Sequence, residues 1–329
     1  MARKRILIIG GTRFLGRHLV DAALESRCKV TLFNRGKTNP DLFPNVETIK
    51  GDRATDLGKL GDRKWDVVID TCGYVPRVVA KSVKNLESRV GQYVFISTIG
   101  VYNEHWKTGL DENSALFELP EPTEQVTEQT YGPLKALCEK EVLRVFPEGN
   151  NGLIVRPGLI VGPWDPTDRF TYWVERVERG GDVLTPGPPE RPVQFIDVRD
   201  LAEWIVWMVK KARSGIYNAV GPHDEMTMTK FLNICKEVTA SDAGFTWVSE
   251  EYIEKEEIPL PVWVPKSYLG YATADNRKFS DLAKLRDAEE TVADTQLWFK
   301  TRRGEEPMKA GLTPEKEAEL LKKWHLKHT

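Results

Sequence analysis

Tyr131 and Lys135 stand four residues apart in "YGPLK", a spacing that puts both on one face of a helix, about one turn apart. An ammonium beside a phenol favours the phenolate and lowers the tyrosine pKa toward the working pH. Such a tyrosine can exchange a proton with a hydroxyl or carbonyl oxygen. Thr98 follows the apolar run "QYVFIS", so it falls at the carboxyl edge of a sheet, where ligands bind, and its hydroxyl can hold the same oxygen. Tyr-x-x-x-Lys alone arises by chance in many helices. Its weight here comes from what stands upstream.

Upstream is "LIIGGTRFLGRHLV", an apolar strand running into glycines and then a helical pattern. Such a turn aims backbone N–H groups and the positive end of a helix dipole at a pyrophosphate. Gly10 permits the tight turn and Gly16 lets the helix pack closely, with Thr12, Arg13, Phe14 and Leu15 between them. Arg13 occupies the place of the usual middle glycine. The second strand ends in "LFNRGKT", offering Asn34, Arg35 and Lys37 where an NAD site commonly has an acid for the ribose 2′-hydroxyl. Cations there suit a 2′-phosphate, so NADP(H) is expected over NAD(H), which stays possible; a solvated basic loop is the plain alternative. Arg13 reads as part of a cationic collar at this adenosine end, or as a side chain turned to solvent. In "KGDRAT", Asp52 is placed to accept from the adenine amino group with Arg53 packed nearby, although an exposed turn aspartate fits equally. With a nicotinamide cofactor in place, Lys135 also holds its ribose.

These residues need a frame. Apolar runs at 6–9, 29–33, 46–50, 66–70, 92–97 and 153–155 alternate with helical patterns at 15–24, 78–86 and 130–146. The run "DVVID" is continuous, the mark of a strand covered on both faces. Strands joined by helical crossovers imply an α/β fold with a Rossmann-like, doubly wound parallel sheet. After Pro157 the proline- and glycine-rich stretches "GPWDPTDRF" and "TPGPPERP" mark the chain leaving this domain and returning through "PVQFIDVRDLAEWI". Residues 1–164 and 191–225 are therefore assigned to a discontinuous dinucleotide domain. Residues 165–190 and 226–329 form a smaller, mainly helical substrate domain. Trp106, Trp164, Tyr172 and Trp173 lie near its mouth by chain position, with core packing the commoner role for any of them.

Bulk properties narrow the classes. Forty-seven basic and 49 acidic residues leave a formal charge of −2, which gives no broad footprint for nucleic acid or anionic lipid. "MARKRILIIG" imitates a signal peptide, but its apolar run, Ile6 to Ile9, is too short for a secretory or membrane segment. Cys28, Cys72, Cys138 and Cys235 are far apart, as reduced thiols of a cytoplasmic protein would be, and the five histidines have no metal-ligand spacing.

The glycine turn, "STIGVY", "YGPLK", "RPGLIVGP" and "PVQFIDVRDLAEWI" fall in one order that resembles an extended or atypical short-chain dehydrogenase/reductase of the NAD-dependent epimerase/dehydratase family. The resemblance covers residues 1 to about 220 closely and the rest loosely. It implies that Thr98, Tyr131 and Lys135 are the catalytic Ser/Thr, Tyr and Lys. It also implies that Ser97, Cys72 and Gly73 border the cofactor and that Arg156, Pro157 and Gly158 border the nicotinamide carboxamide. Asp197 and Asp200 match a segment with a structural role. "VIDTCGY" departs from the family's usual histidine-alanine segment. "GGTRFLG" is similar to an atypical branch with isoflavone-reductase-like proteins and chloroplast stem-loop RNA-binding proteins.

Three functions compete. The expected one is an NADP(H)-dependent oxidoreductase acting on a small carbonyl or hydroxyl compound. A nucleotide-sugar epimerase or dehydratase with tightly held NAD needs groups for a diphosphate, for which Arg169, Arg191 and Arg277 are candidates. An RNA-binding or redox-sensing protein on the same fold is disfavoured by the complete Thr-Tyr-Lys set and the absent basic surplus. No membrane partner is expected, and either a monomer or a homodimer fits.

Overall fold

In the strands that carry the site, apolar residues follow one another without alternation. Ile6 to Ile9, Val67 to Ile69 and Tyr93 to Phe95 are all buried, as parallel strands covered on both faces require. A computed structural model describes residues 3–302, 304 and 307–328; the first two residues of the basic N-terminal stretch lie outside these. The chain runs β1 (Arg5–Ile9), α1 (Leu15–Glu25), β2 (Lys29–Asn34), β3 (Glu47–Lys50), β4 (Trp65–Asp70), α2 (Pro76–Leu86), β5 (Val90–Ile96) and α3 (Glu128–Val145). It continues with β6 (Gly152–Pro157), β7 (Leu159–Val161), α4 (Arg169–Glu178), β8 (Asp182–Pro186), β9 (Phe195–Asp197), α5 (Val198–Lys210) and β10 (Gly215–Ala219). Last come α6 (Met228–Val238), β11 (Gly244–Val248), α7 (Glu250–Lys255), α8 (Arg277–Ser280), α9 (Ala288–Arg302) and α10 (Pro314–His328).

Seven strands form one parallel sheet in the order β10-β6-β5-β4-β1-β2-β3. The order reverses between β1 and β4, so the crevice at their carboxyl ends is the switch point where such folds bind ligands. Helices α1 and α5 pack together on one face and α2 and α3 on the other. This is the doubly wound α/β fold the sequence implies, with element ends shifted by a few residues. The helix bearing Tyr131 starts at Glu128 rather than Thr130. Thr127 and Thr130 close a reciprocal capping box at that end, Thr130 N donating to Thr127 Oγ1 at 3.3 Å and Thr127 N to Thr130 Oγ1 at 2.9 Å.

A second core joins α4, α6, α7, α9 and α10 to the short parallel pair β8 and β11. Tyr172 and Trp173 belong to it, buried and away from the cleft. Trp106 and Trp164 are exposed and do not line the cleft either; Trp164 stacks under Arg17. Phe279, from the stretch assigned to the smaller domain, packs in the larger core against Trp204. Gln194 grips the Ala274 backbone at both its N–H (2.9 Å) and its carbonyl (3.0 Å), which pins the 271–274 segment beside the crevice. Among the described residues, no helix is long and apolar enough to cross a membrane.

Candidate functional site

The glycine turn closes by contact as much as by flexibility. Gly10 has φ +108°, and a Cβ there would lie 2.3 Å from Thr71 Oγ1. A Cβ on Gly16 would lie 2.8 Å from the Gly11 backbone nitrogen, so this glycine fits the first turn of α1 against the loop itself. Gly11, not position 13, takes the second left-handed conformation (φ +96°). Arg13 is therefore a residue whose place demands no glycine, and its side chain is exposed at the cleft.

The turn is the floor of one cleft of about 1060 Å³ at the carboxyl edge of the sheet. Residues Gly10 to Gly16 line it together with Asn34, Arg35, Lys37 and Asp52 at one end. Asn34 holds this end in shape: Nδ2 donates to Gly10 O (3.1 Å), and Oδ1 accepts from Gly36 N (2.9 Å). Its polar atoms are thus engaged within the protein. Arg13, Arg35 and Lys37 make no ion pair among the described residues. Asp52 Oδ1 accepts from Ala54 N at 2.9 Å, an Asx turn that presents the carboxylate at the rim.

At the other end the cleft gathers Ser97, Thr98, Tyr131, Lys135, Pro157 and Gly158. Gly132 makes this possible, because a Cβ there would sit 2.1 Å from Gly100 O. Only a residue without a side chain lets α3 approach the turn after β5 so closely. Thr98 Oγ1 accepts from Gly100 N at 3.1 Å, and its hydroxyl is near enough to the Tyr131 phenol to draw its pKa down. Lys135, buried, donates to Gly73 O (2.8 Å) and Ile96 O (2.6 Å) and lies 4.1 Å from the Phe95 ring centre. Burial lowers its pKa to about 8. The Tyr131 phenol moves the opposite way to the sequence expectation. Burial, and next Tyr74, raise it to about 12, while Thr98 and Arg169 pull it down. The Lys135 ammonium is turned to two carbonyls and does not act on the phenol, so Tyr131 keeps its proton at neutral pH.

Three of the expected cofactor neighbours also carry structural contacts. Gly73 does not line the cleft; it supplies the carbonyl that Lys135 grips. Arg53 reaches the cleft wall, but its guanidinium is clamped to the fully buried Asp70 at 2.6 and 2.7 Å and to Ser82 Oγ at 2.9 Å. Asp70 in turn accepts from Tyr93 OH (2.8 Å) and Cys72 N (3.2 Å), so the pair shapes the loop above Lys135. Arg53→Ala is expected to cost about 3–5 kcal/mol in urea denaturation, because it strands a buried carboxylate; a loss under about 1 kcal/mol would contradict this role. Arg156 lies off the cleft, in a buried pair with Glu139 (2.7 Å) that also donates to Tyr102 OH. Asp197 caps α5 through Arg199 N, and Asp200 pairs with Arg286, both supporting structure.

Sequence reasoning missed part of the lining. Tyr74 stands 6.3 Å from the Tyr131 ring centre, and Gln194, Trp263, Tyr271, Asp165 and Thr167 also line the cleft. The run "LPVWVPKSYLGY" carries two of these, but no periodicity aims them at the site. Of the diphosphate candidates, only Arg169 lines the cleft. Arg191 is buried beside Glu250, and the exposed Arg277 pairs with Asp275.

The residues present fit a nicotinamide dinucleotide. The glycine floor leaves no room for side chains, and Ser97 Oγ, buried at the cleft wall, has no partner among the described residues. Residues 6–220 match the profile described as "NAD dependent epimerase/dehydratase family". The chloroplast stem-loop binding protein of 41 kDa b from Arabidopsis thaliana is 28% identical over 238 residues, 67% of this chain and 59% of that protein. The chain thus spans about three fifths of that curated relative's length. UDP-N-acetylglucosamine 4-epimerase from Methanobrevibacter ruminantium superposes with a TM-score of 0.67 at 22% identity, over 92% of this chain and 100% of that one. UDP-glucose 4-epimerase from Thermotoga maritima gives 0.68 at 18%, over 90% and 99%. At these identities the likeness is one of fold.

Proposed function

Because this chain belongs to the NAD-dependent epimerase/dehydratase family, we propose that it is an NADP(H)-dependent oxidoreductase acting on a small carbonyl or hydroxyl compound. The carrying observation is the adenosine end of the cleft. Three cations, Arg13, Arg35 and Lys37, line it without ion pairs among the described residues, and β2 ends in an asparagine rather than an acid. A guanidinium binds a phosphate through paired charge-assisted hydrogen bonds, whereas a ribose hydroxyl calls for an acceptor. The substrate end supports a reductase over a nucleotide-sugar enzyme, since Arg191 and Arg277 are off the cleft and neutralised. Epimerisation with retained NAD+ is the second reading, favoured by the epimerases among the structural neighbours.

A bound dinucleotide supplies the hydride for the carbonyl carbon. Thr98 holds the carbonyl oxygen by its hydroxyl, and Tyr131, protonated at neutral pH, gives that oxygen its proton, so the product is the alcohol. Lys135 keeps the loop above β4 closed against β5 through its two carbonyl bonds and offers its remaining N–H to the ribose. Its charge is needed for this and, with the lowered pKa, is lost as pH rises through about 8. NADPH oxidation with a panel of small aldehydes and ketones, followed at the nicotinamide absorbance, is expected to hold on the acid side of about pH 8 and decline above it. No oxidation with any carbonyl, together with NAD+ retained through purification, would favour the second reading.

A further inference from the structure

The substrate end of the cleft is asymmetric in charge. One wall is largely apolar, built from Pro261, Val262, Trp263, Val264 and Tyr271, and Gln194 beside it has both amide ends tied to Ala274. The lining also carries Arg169, exposed at the cleft, with Nε donating to Thr167 Oγ1 at 3.2 Å. Its neighbouring acids take their hydrogen bonds and ion pairs from other groups, although the Asp165 carboxylate still feels the guanidinium. Asp165, 1% exposed, accepts from Thr167 N (2.8 Å) and Thr167 Oγ1 (2.7 Å). Asp168 pairs with Arg302 at 2.7 Å and accepts from Lys309 N at 3.1 Å. Arg169 therefore makes no ion pair among the described residues, and its terminal nitrogens are left for a ligand. It is also near enough to act on the Tyr131 phenol.

An exposed guanidinium at a cleft, its terminal nitrogens without an acceptor among the described residues, is a charged donor open to a ligand. The complement is a substrate that brings acceptors and negative charge. One guanidinium matches one planar monoanion by bidentate geometry, while a diphosphate would need further cations that this end does not present.

We propose that Arg169 anchors the substrate, and that the cleft takes carbonyl compounds bearing a single carboxylate. The inference rests on the reductase reading for the reacting group, but the anion site itself does not depend on it. The probes are 4-carboxybenzaldehyde and its methyl ester, each offered with NADPH. Wild-type protein is expected to use the acid with at least about tenfold higher kcat/KM, expressed mainly in KM. Arg169→Met is expected to erase that preference, and Arg169→Lys to restore part of it, with the Kd for NADPH within about twofold of wild type. Equal use of acid and ester by the wild type would overturn the proposal. So would an Arg169→Met variant whose NADPH affinity falls in step, since the arginine would then serve the cofactor. If neither aldehyde is reduced, the reductase reading fails for these compounds, and calorimetry of 4-(hydroxymethyl)benzoate with NADP+-loaded protein reads the anion site directly. Binding that is lost in Arg169→Met supports the anchor; no binding to wild type refutes it.

Discussion

Tyr131→Phe is expected to lower NADPH-dependent carbonyl reduction by about 10²–10⁴-fold, the usual contribution of a positioned general acid. NADPH affinity should stay within about twofold, because the phenol is placed for the substrate oxygen rather than for the phosphates. The substitution keeps the ring and its packing beside Tyr74, at 6.3 Å between ring centres, and removes only the hydroxyl that Thr98 contacts. Stopped-flow single turnovers separate the steps. The hydride step should slow by that factor while cofactor binding is unaltered. Undiminished turnover would mean that another group delivers the proton.

Arg13→Gly is expected to weaken NADPH by about 10–100-fold, the value of a charge-assisted contact of about 1.5–3 kcal/mol. NADH, without the 2′-phosphate, should lose little. The backbone at 13 is not left-handed, so glycine adds chain entropy but removes no needed conformation. That backbone cost falls on both cofactors alike and cancels in their ratio. Arg13 has no ion pair among the described residues to lose, which makes the change in ratio a direct readout of its ligand. Equal losses for the two cofactors would place the guanidinium in solvent.

The parts of this site that were legible in the sequence are those governed by local rules. A strand, a glycine turn and a helix at residues 5–25 declare themselves by periodicity, and Tyr131 and Lys135 share a helix face by spacing alone. What a side chain does once it is there depends on contacts distant in sequence. Spacing pairs Lys135 with Tyr131, yet carbonyls 62 and 39 residues away capture its ammonium. Arg53, expected beside the adenine, lines the cleft while Asp70 holds its guanidinium across the β3–β4 connection. For Gly132, only the approach of Gly100 O shows why no larger residue fits. The substrate wall was the least legible, since Gln194, Trp263 and Tyr271 come from irregular segments that no periodic pattern aims.

If the cations beside β2 hold a dissociable NADP(H), nucleotide-free protein titrated with NADPH and then NADH, read by cofactor fluorescence, will bind NADPH at least about tenfold tighter than NADH. Equal affinities, or an NAD+ that cannot be removed without unfolding the protein, would contradict it.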